Sequence, residues 1–494
     1  MPAYETSPRQ NVLIIGAGPA GLTCAYQLLK RAPGIKLTVF EADRLVGGIS
    51  RTEERNGFRV DIGGHRFFTK VPEVEAMWHE VLGSDFIRVS RRSRIYYRGR
   101  FYDYPLKISN ALANIGIYES FRILLSHMKW RIRPHKKEDS FEEWVINRFG
   151  GRLYMHFFRS YTEKVWGIQP QHIRADWAAQ RIKNLSLSKA VWNALSGAND
   201  TASLINEFSY PRLGPGMMWE RTAELIDEQG GEVVLNTFVE KLERQGGRVV
   251  AAHLRDSTGI QRIVATQFVT TMDLRSLIER IDPPPPNHVR ASAAKLRYRD
   301  FLIVAVILNS AAPFPDNWIY VHDGNVKVGR IQNFRAWSRE MVPNAEQSLI
   351  GMEYFCNEGE ELWEMGDEEL GQLATQELEH LRLANASDKA GSFVIRQPKA
   401  YPVYDTHFKE NVEIIADWLR GMENLQTIGR NGLHRYNNQD HSMLTAMLAA
   451  GNILGESNDV WAVNIERSYH EGFQRDKRQK HTKNEQPETT VARQ

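Results

Sequence analysis

Cysteine is nearly absent from this chain of 494 residues, which contains only Cys24 and Cys356. Neither has the spacing of a metal ligand or of a redox pair. Zinc sites, iron–sulfur clusters and disulfide frameworks are therefore not expected, and we predict no metal site. Cys24 falls within the first predicted helix, where a small buried apolar side chain is expected.

An excess of one charge and a long apolar run are also lacking. The 63 basic and 60 acidic residues leave a formal charge of +3, so any cationic site must be local and no nucleic-acid partner is expected. The longest apolar run, residues 301–308, is too short to span a bilayer. The first ten residues lack the features of a signal peptide. We therefore expect a cytoplasmic protein without a stable membrane span.

A dinucleotide-binding motif opens the chain. An apolar strand at residues 11–15 leads into Gly16-Ala17-Gly18-Pro19-Ala20-Gly21, and an amphipathic helix follows. Gly16 permits the tight turn, Gly18 lets the main chain approach a pyrophosphate, and Gly21 lets the helix pack closely on the strand. The diphosphate is then expected at the helix N-terminus, where N–H groups and the helix dipole favour an anion.

The next elements complete this unit and favour FAD over NAD. A second strand at residues 36–40 ends at Glu41, twenty residues after Gly21 and placed to bind the ribose hydroxyls. Two further Gly pairs follow, in Gly47-Gly48-Ile49-Ser50-Arg51 and in Gly63-Gly64-His65. Glycine at such positions lets the main chain pass close to a flat ring or a phosphate.

The overall pattern predicts an α/β fold. We expect a Rossmann-type FAD-binding domain with an inserted helical region and a second domain built on a mixed or antiparallel sheet. The FAD-binding domain is expected to combine residues 1–75, 230–285 and 425–472. Residues 76–229 form a mostly helical substrate or cap domain, residues 286–424 a substrate-binding sheet domain, and residues 473–494 a disordered tail.

These glycine-rich segments resemble those of the amine-oxidase and protoporphyrinogen-oxidase-like flavoproteins. The Gly63-Gly64-His65 loop, together with Gly429-Arg430-Asn431-Gly432 and the later run Tyr436-Asn437-Asn438-Gln439-Asp440-His441-Ser442, resembles the UDP-galactopyranose mutases more narrowly. The resemblance implies that Arg430 contacts the FAD pyrophosphate and that His65 lies near flavin N5. The expected cofactor-binding residues are Gly16, Gly18, Gly21, Glu41, Gly48, Arg51, Gly63, Gly64, Val239, Gly429, Arg430, Asn438 and Gln439.

The middle of the chain extends this resemblance to a substrate pocket. It implies that Arg181 and Arg330 bind the diphosphate of a nucleotide sugar and that, with His65, they form the catalytic set. Guanidinium groups suit this role because they give bidentate hydrogen bonds to phosphate. The resemblance also implies aromatic substrate contacts, at Tyr104, Trp166, Trp318, Tyr320, Tyr401 and Tyr436. Residues 210–217 depart from the family pattern, as do Leu106 and Lys107 after Tyr104-Pro105.

The resemblance implies that reduced FAD attacks the anomeric carbon through N5, giving a flavin–sugar adduct that recloses with the other ring size. The resemblance therefore implies an isomerase, whose product is the pyranose or furanose form of the nucleotide sugar. The alternative is an FAD-dependent oxidoreductase acting on an amine or an apolar substrate. A third hypothesis is a flavin-bound interaction module without enzymatic activity. The sequence does not decide which sugar is bound. It also leaves open whether NAD(P)H docks transiently as the reductant and whether the chain forms a homo-oligomer.

Overall fold

The computed structural model of the protein describes residues 10–104, 110, 114–175 and 207–463. In these ranges the strands are β1 (Asn11–Ile15), β2 (Lys36–Phe40), β3 (Thr52–Arg55), β4 (Phe58–Asp61), β5 (Phe86–Ser90), β6 (Ser93–Tyr97), β7 (Arg100–Asp103), β8 (Glu207–Pro211), β9 (Glu232–Val234), β10 (Phe238–Gln245), β11 (Arg248–Asp256), β12 (Gly259–Val264), β13 (Gln267–Thr270), β14 (Ile281–Asp282), β15 (Tyr298–Leu308), β16 (Trp318–Val321), β17 (Arg330–Asn333), β18 (Ser348–Cys356), β19 (Lys389–Pro402) and β20 (Leu425–Thr427).

Helices of seven or more residues lie between groups of these strands and after the last one. They are α1 (Pro19–Arg31), α2 (Pro72–Leu82), α3 (Ile117–Ile132), α4 (Phe141–Phe149), α5 (Arg159–Trp166), α6 (Gly216–Glu228), α7 (Leu274–Arg280), α8 (Asn287–Ala294), α9 (Asp367–His380), α10 (Phe408–Arg420) and α11 (Gln439–Ile453). Among the described residues, no helix combines the length and the apolar composition needed to cross a membrane.

The dinucleotide motif lies on a five-stranded parallel sheet of order β20-β13-β1-β2-β9. The central strand β1 is apolar, and four of its five residues are buried, because helices cover both faces of such a sheet. Helix α1 packs against α11 and α6. This arrangement confirms the predicted Rossmann-type domain, and it brings strands together from residues 11–40, 232–234, 267–270 and 425–427.

A second, seven-stranded sheet has the order β19-β15-β18-β17-β16-β6-β7. Its pairs are antiparallel except for β16 and β6. Strand β15 contains the longest apolar run of the sequence and lies buried between β18 and β19. The predicted second sheet of mixed type is thus confirmed.

The domain boundaries stay a prediction. Strands β6 and β7 come from the segment expected to be mostly helical, but they extend the seven-stranded sheet. The rest of that segment includes α3, α4 and α5. Helix α4 begins with a capping box in which Ser140 accepts from the main chain of Glu143 while the Glu143 side chain binds the Ser140 main chain.

Candidate cofactor and substrate site

The turn between β1 and α1 admits only glycine at two positions. Gly16 has a φ of +99°, and a Cβ there would lie 2.0 Å from Thr271 Oγ1. A Cβ on Gly21 would lie 1.8 Å from the main-chain oxygen of Gly16. These two glycines therefore allow the tight turn and the close helix–strand packing that the motif predicts.

A second loop packs against the first. The main-chain N–H of Gly47 donates to Ala17 O at 2.8 Å, which ties the loops together. An ideal Cβ on Gly18 would meet nothing closer than Gly48 Cα at 3.8 Å. Gly429 approaches from a third segment, where its Cβ would lie 3.1 Å from Ala20 Cβ. Three glycine-containing segments thus converge in front of the N-terminus of α1, where an anion is favoured.

Glu41 lies directly after β2, beside these loops. Its Oε2 accepts from the main-chain N–H of Ala17 at 2.6 Å, and its Oε1 accepts from that of Asp43 at 2.9 Å. Burial raises the pKa of Glu41, and these main-chain hydrogen bonds oppose the rise. Each carboxylate oxygen can accept a second hydrogen bond, so the geometry leaves capacity for ribose hydroxyls.

Arg51 and the main chain of Val239 form hydrogen bonds that hold segments near the glycine loops in place. The guanidinium of Arg51 donates to Gly48 O at 2.9 Å and to Gln397 Oε1 at 2.9 Å, which holds the second glycine loop in place. Val239 is buried in β10, and its main-chain oxygen accepts from Arg280 Nε at 3.1 Å.

His65 is held within its own loop. Its Nε2 is 2.8 Å from the main-chain oxygen of Ile62, which assigns the proton to Nε2 and leaves the lone pair on Nδ1. Burial lowers the pKa of His65 to about 4, so the ring is neutral at pH 7. Gly63 adopts a φ of +92°, and a Cβ on Gly64 would lie 1.6 Å from the Trp318 ring. This loop therefore touches the predicted substrate pocket directly.

The C-terminal segment closes the site from the other side. Arg430 donates from Nε to Asn437 O at 2.8 Å and from Nη1 to Ala400 O at 3.0 Å. Asn438 caps α11, the helix that begins at Gln439. Whether Arg430 contacts the pyrophosphate stays a prediction; in this structure its guanidinium ties two segments of main chain.

Three of the six predicted substrate aromatics flank two arginines, and Trp166 packs beside them. The rings of Tyr401 and Tyr436 stack with centroids 5.4 Å apart, and Trp166 lies 6.0 Å from Tyr436. The guanidinium of Arg430 lies 5.5 Å from the Tyr401 ring and 5.3 Å from the Tyr436 ring. The guanidinium of Arg330 lies 5.7 Å from the Trp318 ring.

The remaining aromatics join the same cluster. Tyr104 and Tyr320 lie with ring centroids 4.5 Å apart, and Tyr320 lies 5.7 Å from Trp318. Because Trp318 also contacts Gly64, the aromatic cluster runs without interruption from the Gly63–Gly64–His65 loop to Tyr104. The structure therefore brings together all six aromatics predicted from the sequence.

Arg330 lies within this cluster and contacts Tyr161 and Glu353, two residues that the sequence did not indicate. Its Nε donates to the Tyr161 hydroxyl at 3.0 Å, and its Nη1 lies 3.3 Å from both Glu353 Oε2 and the Tyr401 hydroxyl. Glu353 is fully buried, and burial raises its pKa while Arg330 opposes the rise. The signal for Glu353 is an acidic residue within the otherwise uncharged β18; Tyr161 stands three residues before Lys164. Arg181 lies outside the described residues.

The residues present fit FAD. The glycine segments leave a cradle that a side chain at Gly18 would fill, and Glu41 retains acceptor capacity beside it. Within the described part of the chain, the buried Ser50 Oγ and Gln439 Oε1 have no hydrogen-bond partner. Both atoms belong to segments that the sequence assigned to the cofactor, so a bound group can satisfy them. No cluster of three potential metal ligands occurs among the described residues.

Some known proteins match this chain in sequence over part of their length, and others share its fold. Protoporphyrinogen oxidase 2 of Arabidopsis thaliana is 29% identical over 157 residues, which are 30% of this chain and 30% of that protein. The dTDP-fucopyranose mutase of Escherichia coli is 29% identical over 176 residues, 33% of this chain and 44% of that protein. The matched segments thus span less than half of either relative.

One solved structure shows the same fold over nearly the whole chain. The crystal structure of reduced UDP-galactopyranose mutase superposes with a TM-score of 0.80 at 21% identity, covering 91% of this chain and 97% of that chain. This confirms the resemblance at the level of the fold. The sequence also matches the family described as flavin containing amine oxidoreductase over residues 19–452. Since this match covers most of the chain, the protein belongs to the flavin-containing amine oxidoreductase family.

Proposed function

We propose that this flavin-dependent enzyme is an FAD-dependent mutase that interconverts the pyranose and furanose forms of a nucleotide-diphosphate sugar. The observation that carries the proposal is the position of Arg330. Its guanidinium lies among aromatic side chains that begin at the Gly63–Gly64–His65 loop. A cation in that position suits a diphosphate, whose charge a buried guanidinium can stabilise better than water-exposed groups can.

Each side chain then has a role in binding or orientation. Arg330, with Arg181, holds the diphosphate as it leaves the sugar and retains it for its return. Tyr104, Tyr320, Tyr401 and Tyr436 offer hydroxyl groups, while Trp166 and Trp318 offer faces for the sugar.

Bound reduced FAD would supply the N5 nucleophile for the anomeric carbon. Because His65 is neutral at pH 7 with its lone pair on Nδ1, that atom can accept a hydrogen bond from a neighbouring group. Neither the described residues nor the relatives support NAD(P)H as the reductant.

One observation favours the alternative, an FAD-dependent oxidoreductase acting on an amine or an apolar substrate. The fully buried Glu353 lies 3.3 Å from Arg330 and compensates its charge. A neutralised arginine surrounded by aromatic rings suits an uncharged or cationic substrate as well as an anion. The two functions therefore differ in whether Arg330 binds a diphosphate.

Titration of UDP and dTDP into the anaerobically reduced protein separates the two functions. Under the mutase proposal one of them binds, the affinity falls with salt, and Arg330→Ala weakens binding by about 2–4 kcal/mol. The matched control is Arg221→Ala, because Arg221 forms only exposed ion pairs with Glu224 and Glu228 on α6. This control should bind like the wild type.

A product assay completes the test. Reduced enzyme incubated with UDP-galactose and, separately, with UDP-galactofuranose should yield the other ring form, resolved by chromatography. If neither nucleotide binds at millimolar concentration and no ring isomer forms, the mutase proposal fails and the oxidoreductase is favoured.

A further inference from the structure

Helix α3 carries an apolar stripe that no described residue covers. The stripe consists of residues spaced by four, four, three and four positions, which places them on one face of the helix: Ile117, Phe121, Leu125, Met128 and Ile132. Their exposed fractions lie between 49% and 92%. Five large apolar side chains exposed together on one helix form a surface that soluble proteins use for binding.

The opposite face of α3 fixes the helix to the rest of the protein. Ser120, Ile123 and His127 are buried there, and α3 packs against α4. Glu119 forms ion pairs with Arg152 and His156, and Ser126 Oγ accepts from the main chain of Arg152 at 3.1 Å. The helix is therefore anchored, and its apolar stripe is held facing outward.

Basic side chains predominate around the stripe. Residues 120–137 include six basic side chains and no acidic one, and all six are exposed: Arg122, Lys129, Arg131, Arg133, Lys136 and Lys137. Acids border this run at both ends: Glu119 pairs with Arg152 and Arg122, and Glu138 pairs with Arg148. The net charge of +3 for the chain thus conceals a strongly cationic surface beside an apolar one.

We propose that the α3 stripe docks on an anionic lipid bilayer surface. A helix with apolar side chains on one face and lysine and arginine beside them lies in the interface, where its apolar face enters the acyl boundary and its cations meet lipid phosphates. At 1.5 Å per residue, the sixteen residues of α3 present a line about 24 Å long. The attachment is peripheral, through the outer face of one helix.

A second copy of the chain fits this surface less well. The apolar positions repeat almost symmetrically about Leu125, so two stripes could pair antiparallel. Such a pair would place Arg122 and Lys129 of both copies on the same side of the contact. Glu119 is the one acid in α3, and it is already paired with Arg122 and Arg152 of its own copy. An anionic surface removes that repulsion, whereas a second copy adds to it.

Flotation of the full-length holoprotein with lipid vesicles tests the proposal. The protein should float with phosphatidylcholine vesicles that contain about a third phosphatidylglycerol, and much less with pure phosphatidylcholine. Binding should fall as salt rises, because the cationic part of the attraction is screened. Arg122→Gln and Lys129→Gln should each lower partitioning into the anionic vesicles about fivefold.

The stripe itself is tested by Phe121→Asp/Leu125→Asp. This double variant should lower partitioning roughly tenfold or more. Ile260→Asp/Val264→Asp is the matched control. These two side chains are 55% and 56% exposed, but they lie on β12 of a four-stranded sheet and not on α3. Equal flavin content in all variants establishes that they are folded.

Three results would overturn the proposal. The first is a wild type that does not float with anionic vesicles, and the second is a stripe variant that floats as well as the β12 control. The third is a wild-type dimer in light scattering that ignores vesicles and becomes a monomer in the stripe variant; this would identify a second copy as the occupant.

Discussion

Asp61 offers a sharp test because its carboxyl group is buried directly before the loop that carries His65. Asp61 is 1% exposed and accepts hydrogen bonds from the hydroxyls of Thr52, at 2.9 Å, and Tyr210. Its main-chain oxygen also accepts from Gly63 N–H at 2.9 Å. Burial raises the pKa of Asp61 from its ordinary 3.8 to about 7, although the two hydroxyls oppose the rise.

The sign and size of the effect follow from this rise. Between pH 3.8 and about 7 the folded protein holds a proton that the unfolded chain releases, so the free energy of unfolding falls as the pH rises. The stabilising contribution of the Asp61 proton is complete below pH 3.8 and lost above about pH 7. A rise of about three pKa units corresponds to about 4 kcal/mol, of which about 3 kcal/mol is lost between pH 5 and pH 8.

Asp61→Asn removes the titration while keeping the shape of the side chain. With an unfolding entropy of roughly 2.1 cal/mol/K per residue, about 3 kcal/mol corresponds to about 3 °C in Tm for a chain of this size. We therefore expect the Tm of the wild type to fall about 3 °C more than that of Asp61→Asn between pH 5 and pH 8, measured by differential scanning calorimetry. The control is Asp417→Asn, whose side chain is exposed and paired with Arg420.

If the Tm of wild type and Asp61→Asn shifts equally with pH, Asp61 does not hold a proton in the folded state and the reasoning is wrong. If Asp417→Asn changes the pH dependence as much as Asp61→Asn does, burial is not the cause.

Further predictions concern the cofactor and the pocket. Gly18→Glu should abolish flavin retention, measured as the ratio of flavin to protein absorbance, because the carboxylate would occupy the cradle; retained flavin would contradict the assignment. Arg430→Ala should weaken FAD binding in a reconstitution titration, whereas Arg330→Ala should leave the flavin bound; the reverse order would refute both roles. Gly64→Ala should lower the nucleotide affinity of the flavin-loaded protein, since the added methyl group displaces Trp318, and an unchanged affinity would separate the loop from the pocket.

The local parts of the cofactor site could be predicted from the amino-acid sequence. Gly16, Gly18, Gly21 and Glu41 belong to one continuous βαβ unit, whose glycine spacing and strand ends are set by neighbouring residues. For the same reason the apolar run within β15 predicted a buried strand of the second sheet. The order of the glycine-rich segments was enough to indicate a flavoprotein of the family to which the chain belongs.

Contacts between residues far apart in the sequence depend on how the separate elements pack. Arg330 is opposite Glu353 because β17 and β18 pair in that register, and Asp61 meets Tyr210 across 149 positions of sequence. The periodicity of α3 shows an apolar face, but burial of the opposite face against α4 decides that this one faces outward. Local spacing fixes which face a side chain occupies on its own element; the packing of separate elements fixes what that face contacts.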